Sequence, residues 1–117
     1  YNGVVLLTGQ VPRAELVQLA GDTARRVQRV KVVHNELTVG PRLSLLARNN
    51  DALITSSAKT RMLADSTIPG RRIKVVTGAG AVYLMGLVTR AEADAAVAAV
   101  QQVGGVQRIV KLFEYID

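Results

Sequence analysis

Catalytic chemistry has little to work with in this chain of 117 residues. There is no Cys, which removes thiol nucleophiles, thiolate metal sites and disulfides. The single His34 removes most catalytic triads and almost every His-rich metal site; beside Asn35 in an apolar stretch, it reads as a structural or surface imidazole. Ser56 and Ser57 have no base within arguable reach. Glu92 and Asp94 lie two apart on an expected helix, so they do not face each other and make a poor acid/base pair. Gly78-Ala79-Gly80 copies half of a dinucleotide fingerprint, yet it joins two strands instead of opening a helix, and a phosphate cradle is not expected there. The residues assign no enzyme activity, no metal and no cofactor.

Charge points to binding instead. Fifteen Lys and Arg stand against nine Asp and Glu, a net charge of +6, and the excess is concentrated. Arg42, Arg48, Lys59, Arg61, Arg71, Arg72 and Lys74 face only Asp51 and Asp65 across residues 42–78, so an anionic partner belongs in the middle third. Aromatic residues make up only 3%, too few for a surface that stacks single-stranded bases, and nucleic acid is not expected as a partner. Arg25, Arg26, Arg29 and Lys31 gather at an expected helix C-terminus, where they complement the helix dipole.

The middle third also carries an unusual helix, expected over about residues 51–66. Asn49-Asn50-Asp51 supplies N-cap chemistry and Pro69-Gly70 a stop. At about 100° per residue, Ile54, Ala58 and Met62 share one face and should pack inward. Leu53, Ser56, Ser57, Thr60, Leu63 and Ala64 line the opposite face, with Lys59 beside Leu63. Leucine tips next to an ammonium suit a helix that dips into a headgroup layer while the cation meets phosphate, with Arg61 or Arg48 as further cations. The alternative is that Leu53 and Leu63 are buried against the first module or a dimer partner.

What positions this helix is an internal repeat. Residues 3–37 and 80–113 align: Gly3 with Gly80, Gly9 with Gly86, Val11 with Val88, and Arg13-Ala14-Glu15 with Arg90-Ala91-Glu92. Each copy reads as strand, helix, strand. The strands are expected at 4–11, 30–39, 81–88 and 106–116. Pro12 and Thr89 suit the helix starts, and Gly104-Gly105 the end of the second helix. The stripes Leu16, Ala20, Thr23, Val27 and Ala93, Val97, Val100, Gly104 are expected to face a sheet. Arg72–Thr77 adds a strand that turns through Gly78-Ala79-Gly80 into 81–88 as a hairpin. The fold class is α+β. Residues 1–40 form a partial module (β-α-β), 41–48 a linker and 49–117 a complete αββαβ module with two helices on a small mixed three-stranded sheet. The first module lacks the opening helix and strand, and a start at Tyr1 in mid-pattern suggests a fragment whose upstream anchor cannot be read.

The αββαβ order, the strand Gly80-Ala81-Val82-Tyr83-Leu84-Met85-Gly86-Leu87-Val88 and the closing Gly105-Val106-Gln107-Arg108-Ile109 resemble the BON domain. The tandem copy and the run 82–89 are similar to the dual-BON outer-membrane lipoproteins of Gram-negative bacteria. The resemblance implies a periplasmic, outer-membrane-anchored, non-enzymatic protein that supports envelope integrity. It further implies binding of an anionic, phosphatidylglycerol-like phospholipid through the first helix of the second module. Members often carry an aromatic where Leu53 stands, which implies shallower insertion here. A rival expectation is a docking module for envelope or division proteins, motivated by apolar residues on both faces of 82–88.

Overall fold

The two apolar, β-branched runs that the repeat aligns are strands in the computed structural model, which describes residues 3–40 and 45–117. The chain divides into two compact units, Tyr1–Ser44 and Leu45–Asp117.

In the first unit, β1 (Val4–Val11) runs into α1 (Ala14–Arg25) and returns as β2 (Val32–Val39). β1 and β2 pair in parallel from Val4↔Val32 to Val11↔Val39, a register that the intervening helix makes possible. Asn35 on β2 fastens the helix: its side-chain amide donates to the Val17 carbonyl oxygen at 2.7 Å. This close approach requires Gly21, since a Cβ there would lie 2.6 Å from Asn35 Nδ2. The expected stripe on α1 is therefore rotated. Val17, Gly21 and Ala24 turn inward with Leu16 and Ala20, whereas Thr23 and Val27 are exposed. Val27 lies beyond the helix end at Arg25 and no longer follows its periodicity, and the Thr23 hydroxyl is bound to the Leu19 carbonyl oxygen on the outer face. Pro12 lies two residues before the first helical residue, and Arg13 is the N-cap without a side-chain cap.

In the second unit, α2 (Leu45–Ala64) leads through a 3₁₀ turn (Gly70–Arg72) into β3 (Ile73–Gly78), β4 (Ala81–Val88), α3 (Arg90–Gln101) and β5 (Arg108–Tyr115). The sheet order is β3-β4-β5, with β3 antiparallel and β5 parallel to the central β4. Ile54, Ala58 and Met62 of α2 and Ala93, Ala96 and Val100 of α3 pack with Val82, Leu84 and Val88 of β4 in one core. Ala96 and Val103 replace Val97 and Gly104 as the most buried members of the α3 stripe and its continuation.

The start of α2 differs from expectation. The expected linker begins at Pro41 within residues that lie outside the described ones, but the helix is already formed at Leu45. Asn49-Asn50-Asp51 therefore lie inside it. Asp51 caps something else: its carboxylate accepts the backbone N–H of Ala79 and of Gly80, each at 2.9 Å, in the hairpin turn. Ala79 and Gly80 both hold left-handed backbones (φ 51° and 82°), as a two-residue hairpin loop requires. The Ala79 and Gly80 amides of this turn thus serve an anion of the chain itself.

α3 opens as its sequence dictates. Thr89 accepts the Glu92 N–H at 3.1 Å, and Glu92 returns an acceptor to the Thr89 N–H at 2.8 Å, a complete capping box. The second Glu92 oxygen pairs with Arg72 at 3.1 Å, tying the 3₁₀ turn to the helix start. Thr89→Ala is expected to lower the stability of the second unit by about 1 kcal/mol, read as a reduced urea midpoint with an unchanged slope.

Candidate functional site

The outward face of α2 follows directly from its inward one. Asp51, Ile54, Ala58 and Met62 are buried, so the residues about half a turn away must face solvent. Leu53 is 67% exposed and Leu63 62% exposed, and Ser56, Ser57, Lys59, Thr60 and Ala64 are all exposed between and beside them. All seven expected residues thus lie on one exposed surface. Leu53 and Leu63 are ten residues apart, a rise of about 15 Å along the helix. Leu63 also lies over the turn that follows: a Cβ built at Gly70 would sit 3.0 Å from Leu63 Cδ2.

The polar members of this face are not equivalent. The Thr60 hydroxyl donates to the Ser56 carbonyl oxygen at 2.9 Å, so it is already spent on the helix. Lys59 and Arg61 sit on opposite flanks of the leucine stripe, and neither forms an ion pair among the described residues. The carboxylate one turn on from Arg61, Asp65, turns one oxygen to the chain that follows. It accepts the Thr67 hydroxyl at 2.7 Å and the Thr67 N–H at 2.9 Å, and these bonds hold its carboxyl below the usual range.

Sequence reasoning missed one part of this surface. Ser56, Ser57, Thr60 and Arg61 face Val103 and Gly104, in the turn after α3, across a shallow groove of about 410 Å³. That second wall comes from a segment some forty residues downstream, and no helical periodicity could have placed it.

The other candidates resolve more simply. His34 is half-buried on β2, opposite Leu6 in the strand register. Among the described residues, no three His, Asp or Glu side chains gather as a metal site would require, and no helix is long and apolar enough to cross a membrane. On β4, Tyr83 and Met85 are each 4% exposed and Leu87 is half-buried.

A β-α-β unit followed along the chain by an αββαβ unit, each closing on a parallel strand pair, is the architecture of tandem BON modules. The chain belongs to the BON domain family, which it matches over residues 1–41 and 50–117. Over all 117 residues it is 38% identical to the outer membrane lipoprotein DolP of Haemophilus influenzae and 34% identical to a 21 kDa hemolysin of Actinobacillus pleuropneumoniae. It is 33% identical over 109 residues to the osmotically-inducible protein Y of Escherichia coli. The chain spans 61%, 60% and 54% of these relatives' lengths, respectively. Among solved structures, CdsD, a structural protein of the type III secretion system of Chlamydia trachomatis, aligns over 97% of this chain and 50% of its own at 12% identity, with a TM-score of 0.47.

Proposed function

We propose that the second unit is a non-enzymatic membrane-surface module that binds anionic phospholipid reversibly through α2. The protein that carries it would be a periplasmic lipoprotein of the outer membrane, acting in envelope integrity. The observation that carries this reading is the pair of leucines, 67% and 62% exposed, on the outward face of a helix whose flanking Lys59 has no carboxylate partner among the described residues. Exposed leucine tips beside a free ammonium suit the boundary between acyl chains and phosphates. The kinship with an outer membrane lipoprotein supports the same compartment.

Magnitudes make the contact weak. A leucine tip contributes on the order of 1.5–3 kcal/mol at best, and a nearby basic residue about 1 kcal/mol. A single module is thus a second signal that reinforces a lipid anchor, not an anchor in itself. Leu53→Glu and Leu63→Glu are each expected to weaken binding to phosphatidylglycerol vesicles by about tenfold or more, with an unchanged far-UV circular dichroism spectrum. Vesicle affinity that survives both substitutions would rule the reading out.

A further inference from the structure

The groove on one flank of α2 distinguishes Arg61 from Lys59. Lys59 is exposed and lies outside the groove, where it adds a general attraction to an anionic surface. Arg61 stands on the side where Val103 and Gly104 raise a second wall. We propose that this groove is a phosphate-ester subsite, with Arg61 as the group that recognises the phosphate oxygens and Ser57 as a supporting hydroxyl donor. The proposal deepens the membrane reading of α2 and rests on it: the ester would be the headgroup phosphate of a lipid whose acyl boundary meets Leu53 and Leu63.

Three observations favour an anionic, oxygen-rich occupant. The lining residues contribute one guanidinium and three hydroxyls, and no carboxylate. A guanidinium presents donors in a planar fork that matches two phosphate oxygens at once, which an ammonium does not. The Ser56 and Ser57 hydroxyls and Arg61 are also uncommitted, with no side-chain hydrogen-bond partner among the described residues, whereas the Thr60 hydroxyl is bound to the Ser56 carbonyl oxygen. The far wall leaves room, since a Cβ built at Gly104 would meet nothing within 4 Å.

The same vacancy supplies the test. Gly104→Glu brings a carboxylate to the wall opposite Arg61 without a steric conflict at Cβ, and Arg61→Gln removes the charge and the fork while keeping a polar side chain. Two probes are used on the whole chain: vesicles of phosphatidylglycerol or phosphatidylcholine, and glycerol 3-phosphate with glycerol as the neutral control, followed by amide NMR shifts. Arg61→Gln and Gly104→Glu are each expected to lower affinity for phosphatidylglycerol vesicles by about tenfold, and to abolish the glycerol 3-phosphate shifts at Ser57, Arg61 and Gly104. Lys59→Gln should lower vesicle affinity by only about fivefold and leave those shifts in place. Equal losses for Arg61→Gln and Lys59→Gln, with shifts that persist in Arg61→Gln, would overturn the subsite. If vesicles bind through Leu53 and Leu63 but glycerol 3-phosphate moves none of the three amides, the subsite is also overturned and the membrane reading stands. If the three amides shift and vesicles do not bind, the subsite holds for a soluble phosphate ester and the membrane reading fails.

Discussion

Gly86→Ala is expected to destabilise the second unit by about 3–5 kcal/mol, enough to consume most of the stability of a small domain. Gly86 holds φ at 151°, and a Cβ there would lie 2.4 Å from the Arg72 carbonyl oxygen and 3.4 Å from Ile73 Cα. Both neighbours are backbone, where the chain enters β3, and backbone cannot swing aside as a side chain can. The repeat contains its own control. Gly9 occupies the matching position on β1 with φ at 121°, yet a Cβ built there meets nothing within 4 Å. Gly9→Ala should therefore cost only its backbone strain, about 1–2 kcal/mol. Urea unfolding of both variants, resolved by unit through amide hydrogen exchange, checks the contrast. Equal losses at the two sites would show that close approach is not what Gly86 provides.

Asp51→Ala should cost the second unit about 2–4 kcal/mol. Asp51 is 8% exposed, and its two carboxylate oxygens each accept one N–H of the hairpin turn. Removal leaves the buried Gly80 amide and the adjacent Ala79 amide without an acceptor, and withdraws the bond that holds Ala79 at a positive φ. Asp51→Asn retains one acceptor oxygen and should cost about half as much. Chemical denaturation followed by circular dichroism reads both. A loss below 0.5 kcal/mol for Asp51→Ala would be that of an ordinary surface substitution and would refute the clamp.

The same residue shows why the sequence was legible in some places and not in others. β1 and β4 fall where their apolar, β-branched runs place them, because two copies of one pattern support each other. Thr89 opens α3 as expected, because a capping box is satisfied within four residues. Asp51 is different: an N-cap and a tertiary anchor use the same carboxylate, and local sequence cannot tell them apart. Reading it as a cap cut the first six residues from α2. In α1, Gly21 carries no hydrophobic signal, so the face that most needs to be flat was read in the wrong phase. The outward residues of α2 could be grouped from one helical wheel, since periodicity alone separates them from Ile54, Ala58 and Met62. Arg61 could be named as a nearby cation, but its groove could not be seen, because Val103 and Gly104 reach it only through the packing of α3.

The Asp51 clamp also has a mechanical consequence. It fixes the underside of α2 to the hairpin two residues from Leu53, while Met62 is wedged into the core one residue from Leu63. Each outward leucine is thus backed by an inward fastening almost directly beneath it. A load applied at either point is passed into the hairpin through Asp51 and into the core through Met62. Whatever grips those two points also pulls on the hairpin and on the core that α2 shares with α3 and β4.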